Sequence, residues 1–114
     1  MRAAIWNARW WTNAHDRNFL EYELEKMAKA ADFTIVKRIR HDFAPFGYTA
    51  LWLLSESHLA VHTFPECGKA YVELSSCIKE KFDIFCALVE SNKTIAPTGE
   101  NGLDKSEVLP YAMD

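Results

Sequence analysis

Two apolar segments only three residues apart restrict the fold of this chain more than any other feature. Tyr48 to Leu54 is almost wholly apolar. His58 to Phe64 alternates His58, Ala60 and His62 against Leu59, Val61 and Thr63, the two-residue period of a strand with two different faces. The joint Ser55-Glu56-Ser57 is short enough for a tight turn, and Pro45 and Pro65 bound the pair on its outer sides. An antiparallel hairpin is therefore expected at the centre of a sheet, and the other elements must be compatible with it.

They are. Ala3 to Trp11 is β-prone through Ile5, Trp6, Trp10 and Trp11 and is stopped by Thr12-Asn13. From a cap at Asp16 to Ala31, Phe19, Leu20, Leu24, Met27 and Ala31 recur at helical spacing. Phe33 to Asp42 returns to strand composition, and Ala70 to Leu74 is a further strand. Ser75 or Ser76 is placed to cap a second helix that runs to about Ser91, with Ile78, Phe82, Phe85 and Val89 as its apolar stripe and Asn92 at its end. The tail from Lys93 to Asp114 suggests only a short strand near Thr94-Ile95-Ala96. Two helices among antiparallel-compatible strands predict an α+β fold, a two-layer α/β sandwich with both helices on one face of the sheet. The other face, as apolar as Tyr48 to Leu54, would pack against a second subunit, sheet back to back with sheet in a dimer.

Size agrees with that reading. At 114 residues, 49% hydrophobic and 25% charged, residues 1–114 make one domain. A domain so small buries only about 65% of its unfolded surface, which favours self-association. No apolar run approaches the ~18 residues of a membrane span, and Arg9 interrupts the N-terminal apolar stretch, so no membrane partner and a cytoplasmic location are expected. Cys67, Cys77 and Cys86 are then expected to be reduced thiols. Net charge is −3. Lys37-Arg38-Ile39-Arg40 reads as a strand with one solvated face, and no nucleic-acid partner is expected.

The residues with chemical potential lie between Glu56 and Cys77. His58 and His62 share a strand face, and Glu66 or Cys67 follows after a turn. No paired Cys-x-x-Cys or helical His-x-x-x-His accompanies them, so no metal is expected. A hydrolase is equally poorly supported, because Ser57 lacks a Gly-x-Ser-x-Gly elbow and neither Cys67 nor Cys77 sits in a nucleophile signature. Composition alone favours a bland reading: half-buried strand histidines, Cys77 and Cys86 as core fillers, and a polar turn at Glu56-Ser57.

The segment SESHLAVHTFPECGKAYVELSSC, Ser55 to Cys77, changes that ranking. It joins Glu-Ser-His-Leu, then His-Thr-aromatic-Pro-Glu, then a cysteine twenty positions after the serine. In this it closely resembles the processing and active-site region of the prokaryotic S-adenosylmethionine decarboxylases, self-cleaving pyruvoyl enzymes. A weaker similarity extends upstream through His41-Asp42-Phe43-Ala44-Pro45-Phe46-Gly47. The resemblance implies that the Ser57 hydroxyl attacks the Glu56 carbonyl, with Thr49 assisting and His62 removing the Ser57 α-proton. Cleavage would leave a β chain of residues 1–56 and an α chain of 57–114, the latter starting with a pyruvoyl group made from Ser57. That group would form a Schiff base with the substrate amine, with no metal and no pyridoxal phosphate. Cys77 would return a proton to the substrate carbon, from a position just ahead of a helix N-terminus, where a thiol pKa can be lowered. Phe43 and Phe64 would stack on or wall the adenine, Leu59 would line the pocket, and Glu66 would bind the ribose hydroxyls. A homodimer of processed protomers completes the implication.

The chain departs from the family pattern at Phe64, where the family has tryptophan, at Thr49 for serine, and at Ile78 for glycine. The family's Gly-x-His opening of the first strand is replaced by AAIWNARWW. These departures raise two alternatives: ornithine or arginine decarboxylation by the same chemistry, and a non-catalytic ligand-binding or partner homologue.

Overall fold

A computed structural model describes residues 3–99 and 102–111. The chain runs β1 (Ile5–Thr12), α1 (Arg17–Ala30), β2 (Ile35–Asp42), β3 (Tyr48–Leu54), β4 (Ser57–Phe64), a 3-10 turn (Pro65–Cys67), β5 (Lys69–Ser76), α2 (Lys79–Ser91) and β6 (Asp104–Val108). One six-stranded sheet of order β2-β3-β4-β5-β1-β6 holds every strand, and every neighbouring pair is antiparallel. The expected α+β sandwich is what forms.

Alternation along the strands decides what lies under the helices. Ala8, Trp10, Ala50, Trp52, Leu54, Leu59, Val61, Ala70, Val72 and Leu74 form the sheet side of the core. Leu20, Leu24, Met27 and Ala28 of α1, with Phe82, Phe85, Cys86 and Val89 of α2, cover them. Asp16 caps α1 by accepting a hydrogen bond from the Phe19 amide. On the opposite face Trp11, Ile39, Leu51 and Leu53 remain 45%, 61%, 47% and 54% exposed. That is a broad apolar surface for so small a chain.

Between α1 and the β2–β3 edge lies a half-buried ionic seam, with Glu21 buried and the arginines partly open to solvent. Glu21 accepts hydrogen bonds from Tyr48 and, at 2.8 Å, from Arg40. Glu25 accepts from Arg38 at 2.7 Å and from the Trp52 indole at 2.9 Å. The Arg38–Arg40 side of β2 is therefore occupied by α1 and is only partly a solvated face.

Three local expectations are corrected. Ser75 and Ser76 do not cap α2, because both are still paired in β5, opposite His58 and Ser57. The cap position is Ile78, whose amide donates to Ser76 Oγ at 3.0 Å. Thr94 to Ala96 is not a strand. Asn92 Oδ1 accepts from the Thr94 and Ile95 amides at 2.9 and 3.1 Å, and the Trp10 indole donates to the Ile95 carbonyl at 2.9 Å. Those bonds make the segment a turn that plugs Ile95 into the core. The tail strand is instead the polar run Asp104–Val108, paired to β1 at the sheet edge, where neither face needs the apolar alternation that announces a strand.

Candidate active site

The hairpin turn is tighter than expected. Leu54 pairs with Ser57, leaving only Ser55 and Glu56 in the turn, and Glu56 takes φ 60°. A non-glycine residue in the left-handed region carries local strain, here at the residue whose carbonyl belongs to the Glu56–Ser57 peptide. The same turn sits over the end of β5. The Cys77 amide donates to the Glu56 carbonyl at 3.1 Å, and the Ser57 hydroxyl donates to Ser76 Oγ at 2.7 Å. Ser57 and Ser76 are 7% and 0% exposed. Cys77 itself is exposed. It lines an apolar groove of about 280 Å³ with Ile5, Val108 and Pro110. Glu56, Ser57 and Cys77 thus meet at one end of the sheet.

Thr49 and His62 meet elsewhere. They are cross-strand neighbours, with Thr49 Oγ1 and His62 Nδ1 2.9 Å apart. His62 lies five residues along β4 from Ser57, about 17 Å at strand rise, and alternation puts it on the open face while Ser57 faces the helices. Within one chain these two do not meet. His62 stacks on Tyr71 with centroids 6.4 Å apart. Tyr71 donates to Glu73 at 3.1 Å, and Glu73 also accepts from Asn7 at 3.1 Å. Burial, followed by the nearby Glu73 carboxylate, raises the Tyr71 pKa. Glu73 stands among the polar candidates between Glu56 and Cys77, but its partners Tyr71 and Asn7 do not, although the two-residue spacing of Tyr71, Glu73 and Ser75 already places them on one face.

Phe43, Phe64 and Glu66 lie at the end of the sheet opposite Ser57. Phe43 is 51% exposed on the β2–β3 loop and packs edge-on to His41 at 4.6 Å. Phe64 is 38% exposed and packs against Trp11 at 5.6 Å. Glu66 is exposed on the 3-10 turn. Leu59 is fully buried in the core, on the side that Ser57 faces. His58 lines an apolar depression of about 290 Å³ on the open face with Lys37, Ile39, Leu51 and Leu53. Among the described residues no three His, Cys, Asp or Glu side chains converge as metal ligands, and no helix is long and apolar enough to cross a membrane.

Comparisons with known proteins agree on one family. A sequence profile described as S-adenosylmethionine decarboxylase matches residues 11–95. The S-adenosylmethionine decarboxylase proenzyme of Brevibacillus brevis is 33% identical over 104 residues, covering 87% of this chain and 78% of that protein. The proenzyme of Parasynechococcus marenigrum is 44% identical over 62 residues, 54% of this chain. The match spans about half of that relative, 48%. In fold, the crystal structure of the adenosylmethionine decarboxylase from Aquifex aeolicus superposes with a TM-score of 0.64 at 20% identity, covering 99% of this chain and 94% of that one. With three quarters of its length matched by the profile, the chain belongs to the S-adenosylmethionine decarboxylase family.

Proposed function

We propose that this chain is a self-processing, pyruvoyl-dependent carboxy-lyase acting on S-adenosylmethionine, whose decarboxylated product is an aminopropyl donor for spermidine synthesis in the cytoplasm. The observation that carries the reading is the clamped Glu56–Ser57 peptide, with its carbonyl held by the Cys77 amide and its hydroxyl held by Ser76. The name proenzyme borne by the relatives supports the same conclusion.

In the first step Ser57 Oγ adds to the Glu56 carbonyl carbon, and the Cys77 amide is placed to stabilise the oxyanion. The carbon–nitrogen bond breaks, the hydroxyl proton ends on the Ser57 nitrogen, and the amide has become an ester. His62 then takes the Ser57 α-proton, and elimination releases the Glu56 carboxylate as the end of chain 1–56. The dehydroalanine left at position 57 takes up water and loses ammonia, so that chain 57–114 starts with a pyruvoyl group. Once formed, that group supplies a carbonyl for the substrate amine and a sink for the electrons released with carbon dioxide. Cys77 holds the proton returned to the substrate carbon. Phe43 and Phe64 stack against the adenine, Leu59 backs the pocket, and Glu66 accepts hydrogen bonds from the ribose hydroxyls.

Those groups stand at opposite ends of one sheet, Phe64 about 23 Å along β4 from Ser57 at strand rise. In a dimer with the open faces back to back and the two-fold axis perpendicular to the strands, the Ser57–Cys77 end of one protomer would lie against the Thr49–His62–Glu66 end of its partner. Such a homodimer would complete each site. The exposed Leu51, Leu53 and Ile39 give it an apolar surface to bury.

Denatured mass of the purified chain, beside Ser57→Ala, tests processing. Two fragments split after Glu56 in the wild type and an intact variant are expected. An intact wild type under all conditions refutes it. Mixing Ser57→Ala with His62→Ala tests the shared site: only the mixture should cleave, and only the His62→Ala chain within it. A thermal-shift comparison of a nucleoside sulfonium with ornithine and arginine checks the substrate, and only the first should stabilise the fold.

A further inference from the structure

We infer that Ser76, for which the sequence suggests only a helix-capping part, is the positioning residue for self-cleavage. Its hydroxyl fixes the rotamer of the attacking Ser57. The inference rests on the proposed processing reaction.

Ser76 is fully buried at the last position of β5, directly opposite Ser57. Its Oγ accepts the Ser57 proton-side hydrogen bond at 2.7 Å and a second from the Ile78 amide at 3.0 Å. The Ile78 amide locks Ser76 in place, and Ser76 in turn locks Ser57. One residue on, the Cys77 amide grips the Glu56 carbonyl. The three consecutive residues Ser76, Cys77 and Ile78 therefore hold both partners of the first bond-forming step, nucleophile and electrophile. An isolated serine hydroxyl rotates among three staggered wells and is seldom aimed at its own preceding carbonyl. By taking the hydrogen bond from Ser57, Ser76 selects one well and leaves the Ser57 lone pairs free for attack. The step needs no outside reagent. The new C–O bond replaces the Glu56–Ser57 C–N bond, and the hydroxyl proton is delivered to the Ser57 nitrogen.

Cleavage half-times of wild type, Ser76→Ala and Ser76→Thr test this, each with and without hydroxylamine, which cuts an accumulated ester but not an amide. His62→Ala, blocked after ester formation, is the positive control for hydroxylamine cleavage. Ser76→Ala should cleave about tenfold more slowly or worse, the effect of one lost orienting hydrogen bond, and hydroxylamine should not rescue it. Ser76→Thr, which keeps the hydroxyl, should recover most of the rate. Melting of each variant in the Ser57→Ala background separates misfolding from misalignment. If Ser76→Ala does not fold, a Ser76→Thr chain that folds but does not cleave overturns the inference. So does Ser76→Ala cleaving at the wild-type rate, or cleaving slowly while hydroxylamine cuts it. A wild type that never cleaves overturns the processing reaction itself, a result distinct from any of these.

Discussion

Replacing Glu56 by glycine separates strain that is merely tolerated from strain that is used. Glu56 sits at φ 60°, a region that costs an L-residue about 1–2 kcal/mol. Its side chain is exposed, so truncation removes little packing. Glycine removes the strain and brings back about 0.5–1 kcal/mol of unfolded-chain entropy, leaving a net gain of about 0.5–1 kcal/mol. Unfolding entropy of about 2.1 cal/mol/K per residue converts this, over 114 residues, to a rise in Tm of about 2–4 °C. The rise is to be measured in the Ser57→Ala background, where no cleavage confuses the transition. Cleavage itself compares two folded states, so the entropy of the unfolded chain drops out and the full strain counts. If the left-handed turn relaxes as the Glu56–Ser57 amide breaks, Glu56→Gly slows cleavage by about 5- to 30-fold. The half-time, read by mass spectrometry, is the assay. A Tm that rises while the half-time stays unchanged refutes the coupling of strain to chemistry. A Tm that falls refutes the strain.

Phe85 is fully buried, with Trp10 and Phe33 at 6.3 and 6.5 Å. Phe85→Ala should cost about 3–5 kcal/mol, read from the urea midpoint. Burial pushes the Cys86 thiol up to about 11, whereas Cys67 and Cys77 are exposed. A disulfide reagent should therefore titrate two thiols quickly in the native protein and the third only on unfolding. Because the folded thiol is raised above its ordinary value, its stabilising contribution is complete below about pH 8.5 and is lost as pH climbs towards 11. Cys86→Ala should flatten that alkaline loss of stability. For Glu25, burial acts upward but is outweighed by hydrogen bonds from Trp52 and Arg38, which hold its carboxyl low. Its contribution is present above about pH 4.3 and lost as pH falls, so Glu25→Gln should weaken the acid dependence of the urea midpoint.

The hairpin and both helices were legible because each buries one face and so writes a period into the chain. Tyr48 to Leu54 is a nearly continuous apolar run, His58 to Phe64 alternates, and Phe82, Phe85 and Val89 recur at helical spacing. What was not legible lacks such a face. Asp104–Val108 is a polar edge strand specified by its pairing with β1, and Ile95 is held by side-chain bonds from Asn92 and Trp10 that no local pattern announces. The motif from Ser55 to Cys77 points to the Glu56–Ser57 peptide, but its linear spacing hides that β4 turns Ser57 and His62 to opposite faces. Ser75 or Ser76 before an apolar stripe predicts a helix cap. Only the register of β4 with β5 reveals Ser76 opposite Ser57.

Strand order gives the proposed cleavage between Glu56 and Ser57 a meaning beyond chemistry. Residues 1–56 own β1, β2 and β3, residues 57–114 own β4, β5 and β6, and across the sheet the owners alternate, since β1 lies between β5 and β6. The pieces share three ladders and two packed helices, so a cut in one turn does not let them part. It does change the molecularity of refolding. A joined chain returns its halves to each other at an effective concentration on the order of millimolar, and a severed one must find its complement by diffusion. The activated protein would be as firmly assembled as its precursor, yet once unfolded it would have no intramolecular way back, making maturation a ratchet for the fold as well as for the active site.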